Sequence, residues 1–210
     1  EGNFHFSAAN PDGSDLRFVG ADGKLLPHQI EKFDSLVNEG FVWVKVPHLA
    51  TGAKASFDIY YGNPSPKVPA AAPASTYDAA LVYHFADRDG APADATGNAN
   101  NASAPLASSE GAIIGSGARL LGGEPVSIPA SPSLEWNGAF TWSAWIKPSA
   151  PQARSIVFSR GDGAGSIRIV LDQGAPGVEV IANGETRRTP AAQALGADTW
   201  NHLAVTGDAS

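Results

Sequence analysis

The segment Pro64-Ser65-Pro66-Lys67-Val68-Pro69-Ala70-Ala71-Ala72-Pro73-Ala74-Ser75-Thr76 sets the strongest limit on what this chain can fold into. Its four prolines remove four backbone donors and fix φ at each, so neither a helix nor a sheet can run through it. On both sides the pattern is strand-like. Phe57-Asp58-Ile59-Tyr60-Tyr61 alternates before it, and Leu81-Val82-Tyr83-His84-Phe85 follows it. This predicts two β-rich units joined by a stiff, polyproline-like spacer. The expected division is a small antiparallel β domain over 1–63, a spacer over 64–76 and a second unit over 77–210.

Composition narrows the classes. Hydrophobic residues make up 43% of 210 residues, enough for packed cores. Gly 23 and Pro 16 stay under a fifth of the chain, below the roughly 25–30% of low-complexity chains. The net charge is −7 and no Lys/Arg cluster exceeds Arg187-Arg188. A nucleic-acid partner would need a basic face for its phosphates, so none is expected. The absence of cysteine excludes disulfides, zinc-thiolate sites and thiol nucleophiles. No run of 18 or more apolar residues could span a membrane, and no signal peptide is visible.

In the first unit, Asn3 to Ser7, Asp15 to Val19, Phe41 to Val46 and Ala55 to Tyr61 alternate as strands do. Asn10-Pro11-Asp12-Gly13 and Asp22-Gly23 are turns. Only Glu31 to Val37 reads as a short helical turn. His5, His28 and His48 are scattered and read as structural. Asp12, Asp15 and Asp22 read as turn formers, and Trp43 as core. The succession Asp12-Gly13-Ser14-Asp15-Leu16-Arg17-Phe18, Asp22-Gly23-Lys24-Leu25-Leu26-Pro27, Trp43-Val44-Lys45-Val46-Pro47 and Tyr60-Tyr61-Gly62-Asn63 resembles a bacterial exported domain-of-unknown-function family. In that family the domain is often followed by a laminin-G-like module and is frequently linked to a MotA/TolQ/ExbB-type proton channel. It has no assigned catalytic residues, so none is carried over.

The second unit reads as a succession of short strands separated by turn residues. Phe140 to Lys147 alternates cleanly, which puts Trp142 and Trp145 on opposite faces. Asn183-Gly184 after Val178 to Ala182 is a type I′ hairpin signal. The opening Val82 to Phe85, the loop Ala93 to Asn98, the strand Phe140 to Lys147 and the closing Thr199-Trp200-Asn201-His202-Leu203-Ala204-Val205 resemble a concanavalin-A-like, laminin-G-type jelly roll. The resemblance implies a further hairpin and a final strand after this, so the jelly roll is expected to be incomplete at residue 210. The fold class is all-β throughout.

No catalytic signature stands out. Glycan hydrolases on this fold use acidic residues alternating along one strand. Glu179 has no acidic neighbour at two-residue spacing. There is no Gly-x-Ser-x-Gly elbow, phosphate loop or His-Glu-x-x-His. No enzyme is expected in this segment. The fold often holds a structural Ca²⁺ after its first strand, and Asp94, Thr96, Gly97 and Asn98 could supply oxygens. The alternative is a turn-rich loop whose Asp and Asn bond only to nearby backbone. Trp136 and Asn137, at a turn with Gly138, are the candidate sugar contacts, and the alternative for Trp136 is a plug at the sandwich end.

The expected function is non-enzymatic recognition of an envelope protein or glycan, in the periplasm or outside the cell. By resemblance, the segment would belong to a larger bacterial envelope protein of the proton-channel-associated kind, with its membrane anchor C-terminal to it. The alternatives are a secreted carbohydrate-binding or adhesin module and an accessory module of a polysaccharide-degrading enzyme.

Overall fold

The computed structural model describes residues 4–66, 70, 72–88, 90–135, 138–150, 153–161, 165–190 and 192–208. Its regular structure is strand with three short 3₁₀ turns, and no α-helix occurs among the described residues. The fold is all-β. No helix among the described residues is long and apolar enough to cross a membrane.

Two compact units are present, Glu1–Glu135 and Trp136–Ser210. The expected joint at 64–76 therefore lies within the first unit rather than between units. The reason is packing. A 3₁₀ turn, Pro73–Thr76, lies against the first unit's second strand, and residues 77–84 bond back onto that strand and its neighbour. Prolines stop a ladder from passing, but they do not stop the chain beyond them from returning.

The first unit holds β1 (Arg17–Gly20), β2 (His28–Asp34), β3 (Glu39–Val44), β4 (Phe57–Tyr60), β5 (Ser108–Ser109) and β6 (Gly117–Ala118). They form antiparallel pairs β1–β4, β2–β3 and β5–β6. Leu16, Phe18 and Leu26 are the buried centre, with Phe4, Ile30, Phe33, Val42, Val44 and Tyr61 packed on it. Three local expectations change. Phe6–Ala8 is a 3₁₀ turn, not strand, and the Phe6 ring meets Phe4 edge-to-face and Phe33 at a tilt. Glu31 to Asp34 is strand, where a helical turn was expected, because β2 pairs with β3. Among the described residues, Leu81 to Phe85 makes only one bridge, Tyr83 to Asp94.

Asp15 shows how loops are tied here. It is 2% exposed. One oxygen accepts the Asn10 N–H at 2.8 Å and the other the Gly62 N–H at 2.6 Å. The turn before β1 is thereby fixed to the chain leaving β4. Asp12 and Asp22 form the expected local turns, each accepting the N–H two residues on.

The second unit holds β7 (Phe140–Ile146), β8 (Ser155–Gly161), β9 (Gly165–Asp172), β10 (Ala175–Ala182), β11 (Glu185–Arg188) and β12 (Asn201–Gly207). One sheet has the order β11-β10-β9-β8, and β7 pairs with β12. Asn183 and Gly184 both have positive φ (52° and 79°), the type I′ hairpin that the sequence predicts. Gln173-Gly174 forms a second turn of this kind, with φ 50° and 82°. Both turns are two residues long, so they fix the register of β9, β10 and β11. Trp142 packs against Phe158 with ring centroids 5.7 Å apart, joining the two sheets. Ile169 is the largest fully buried side chain.

Candidate functional site

The β7–β12 pair presents one open face. Burial alternates strictly along both strands. Thr141, Ser143 and Trp145 of β7 are exposed, opposite Thr206, Ala204 and His202 of β12 respectively. The other face carries Trp142 and packs inward, so the two tryptophans divide as parity requires. Trp145 is 53% exposed, with the His202 ring beside it at 5.0 Å. Tryptophan is usually well buried. Here a large π-surface lies open beside hydroxyls and an imidazole, and the six residues include no Asp, Glu, Lys or Arg. Such a face can stack a ring and hydrogen-bond its rim. The sequence carried this signal as the alternation of Phe140 to Lys147, but it gave no reason to choose Trp145 over Trp142 as the exposed one. The expected contacts Trp136 and Asn137 lie outside the described residues.

On the other sheet, Glu179 is 3% exposed. Its carboxylate meets Arg154 at 2.5 Å and Arg188 at 3.0 Å. A buried carboxylate requires such partners. The two guanidiniums neutralise it, and among the described residues no second carboxylate shares its contacts.

The four candidate calcium residues lie together in one loop. Asp94 Oδ1 accepts the N–H groups of Val82 and Thr96. Its Oδ2 accepts the Thr96 hydroxyl and the Asn100 N–H. Asn98 turns its amide donors to the carbonyls of Ala79 and Ala80. Burial opposes ionisation of Asp94, but the donors from Thr96, Val82 and Asn100 outweigh it and hold the carboxyl below the ordinary carboxylate value. Nearby, Tyr83 donates to the Asn100 carbonyl at 2.6 Å. Burial first, and then the charge of Asp94, push its hydroxyl up to about 12. A Ca²⁺ ion at Asp94 would face four donor hydrogens where it needs free oxygens. The loop does not fit the ion, and among the described residues no group of three or more acidic or histidine side chains is gathered for a metal. The melting temperature is expected to be the same with and without a chelator in a differential scanning measurement. A fall on chelation would restore the ion.

One cluster was not legible in the sequence. A register shift between Ile30 and Lys32 makes Glu31 the extra residue of a β-bulge. Its side chain is 2% exposed. Oε2 accepts Trp43 Nε1 at 2.5 Å and faces His84 Nδ1 at 2.7 Å. With Nδ1 donating, His84 Nε2 accepts the Tyr77 hydroxyl at 2.8 Å. Burial raises the Tyr77 hydroxyl pKa, with the Glu31 charge adding to it. Tyr77 is thus a hydrogen-bond donor here. The cluster fastens residues 77–84 onto β2 and β3, helped by Lys45 and Asp78 at 2.6 Å. Gly115 (φ +59°) backs it, where a Cβ would lie 2.7 Å from Glu31 Oε1.

Comparison with known families also finds two parts, the second beginning at residue 121, within the first compact unit. Residues 12–101 match the family Domain of unknown function (DUF2341). Residues 121–210 match the Concanavalin A-like lectin/glucanases superfamily. The chain thus carries a domain of unknown function followed by a concanavalin A-like domain. The first match runs across the proline-rich segment, as the first compact unit does. No curated protein and no solved structure matches the chain.

Proposed function

We propose that the C-terminal unit is a non-enzymatic carbohydrate-binding or adhesin-type module of an exported bacterial envelope protein. The observation that carries this is the exposed Trp145–His202 face of β7–β12, in a domain whose superfamily includes lectins. The weakly positive C–H face of a pyranose stacks on the negative face of an indole. Its hydroxyls then reach His202 and Ser143, and a following sugar of the chain, roughly 13 Å along the strands, reaches Thr141 and Thr206 on the same face. The absence of a charged side chain among these residues favours a neutral sugar. An open face gives modest affinity, with Kd on the order of 0.1–1 mM for a short oligosaccharide.

The test is a glycan array probed with the protein and with Trp145→Ala. Neutral oligosaccharides should be retained by the former and lost by the latter, without a change in melting temperature. An array on which both proteins give the same pattern would defeat the reading.

The resemblance of the N-terminal blocks supports a narrower reading of the whole. In it, the segment is the periplasmic part of a protein associated with a MotA/TolQ/ExbB-type proton channel. Its test is the reading frame past residue 210, where spans of ~20 apolar residues are expected. A frame coding only for further β modules there would instead favour free-standing adhesion.

A further inference from the structure

The four-stranded sheet of the second unit carries a row of charges that the neutral-sugar reading does not use. Register places Arg188 of β11 and Arg168 of β9 directly opposite Glu179 of β10, one on each side. Ser159 of β8 continues the row opposite Arg168. Residues directly opposite across antiparallel strands share a face. Arg154 reaches the same carboxylate from the strand edge. Three guanidiniums therefore stand around one buried carboxylate. Arg188 and Arg154 keep 62% and 39% of their side chains exposed. The Arg168 side chain makes no hydrogen bond or ion pair among the described residues. Glu185 and Arg187 alternate onto the opposite face. Asp172 lies four residues from Arg168, roughly 13 Å along the strand.

The excess of positive charge is local, in a chain whose net charge is −7. A lone surface arginine is mobile and binds an anion weakly. Here Glu179 holds two guanidiniums in place, so less entropy is lost when a ligand pairs with them. Strands are spaced ~4.8 Å apart, which puts Arg168 and Arg188 about 10 Å from each other at the backbone. Guanidinium groups take carboxylates in a planar, two-point manner.

We propose that this row is a second glycan site, specific for a carboxylated saccharide, a uronic-acid-containing chain. It rests on the reading of the unit as a glycan-binding module and adds a site on a different sheet.

The test uses the full chain and calorimetric titration with three probes: an oligogalacturonate, a sulfated galacto-oligosaccharide that carries no carboxylate, and a neutral cello-oligosaccharide. The variants are Arg168→Gln, Arg188→Gln and, as an equal charge loss on the opposite face, Arg187→Gln. Oligogalacturonate binding should weaken about tenfold, ~1.4 kcal/mol, in Arg168→Gln and in Arg188→Gln. It should be unchanged in Arg187→Gln, and neutral binding should be unchanged in all three. Melting curves check folding, and the more exposed Arg188 carries the test if Arg168→Gln unfolds. Equal weakening in Arg187→Gln would reduce the site to general charge attraction and overturn it. Binding to the sulfated probe but not to the uronate would overturn the ligand class. Retained neutral binding with no uronate binding would defeat this site alone, and loss of all glycan binding by the unmodified chain would defeat the module reading itself.

Discussion

Replacing Asp94 by alanine is expected to destabilise the first unit by about 3–5 kcal/mol. The substitution strips the acceptor from three backbone N–H groups and one hydroxyl at once. Leaving one buried donor unsatisfied costs roughly 1–3 kcal/mol, and water entering the space vacated offsets part of the sum. The loss should be visible residue by residue, as faster hydrogen exchange at the Val82, Thr96 and Asn100 amides. Its pH dependence follows from linkage. The folded-state carboxyl titrates below its unfolded value. Its contribution is therefore fully present above the unfolded pKa and is lost as pH falls through the folded one. The stability gap between the protein and the variant should be flat above about pH 5 and narrow below about pH 4. A variant that loses less than about 1 kcal/mol, or a gap that widens in acid, would contradict this account of the loop.

The second large effect is expected at Ile169. It is 2% exposed and fully enclosed. Its face of β9 looks toward the sheet partner, with Phe158 opposite it in register and Trp142 packed on Phe158. Ile169→Ala should cost about 2–5 kcal/mol, the lost transfer energy plus the cavity left behind, while Ile169→Val should cost ~0.5–1.5 kcal/mol. Urea denaturation of the two variants measures the difference. Among the described residues of this unit, few side chains are buried as deeply, namely Val170, Leu171 and Glu179. There is thus little else to absorb the loss. Equal costs for the two substitutions would mean that the site collapses freely and is not the packed centre described.

What the sequence revealed depended on how local the cause was. The Asn183-Gly184 turn was legible because only residues tolerant of positive φ suit it. Its two-residue length also fixes Glu179 opposite Arg188. The pairing of Glu179 with Arg168 depends equally on Gln173-Gly174, a weaker turn signal. Ile169-Val170-Leu171 breaks the alternation expected of a half-buried strand, since all three are buried in an inner strand of the four-stranded sheet. Leu81 to Phe85 has the composition of a strand. Its backbone is satisfied instead by Asp94 at Val82, and the Asn98 and Asn100 amides satisfy Ala80. No periodicity announces such side-chain capture. The Glu31 cluster was hidden for the same reason, since it joins residues 31, 43, 77 and 84 through a bulge and a return past the proline-rich segment.

That segment was expected to separate two units. It lies instead within one, and the boundary falls at Glu135 and Trp136. The Trp145 face and the Glu179 row both belong to the shorter second unit, built on a tight set of hairpins whose register is set by two-residue turns. This is the kind of rigid scaffold on which an exposed indole keeps one orientation.

Trp145 is the proposed sugar platform. Calorimetric titration of a neutral oligosaccharide into the full chain and into Trp145→Ala tests it most directly. The account predicts saturable binding by the former, at least about tenfold weaker in the variant, with superimposable melting curves. Equal affinity in the two proteins, or no heat of binding in either at millimolar sugar, would contradict it.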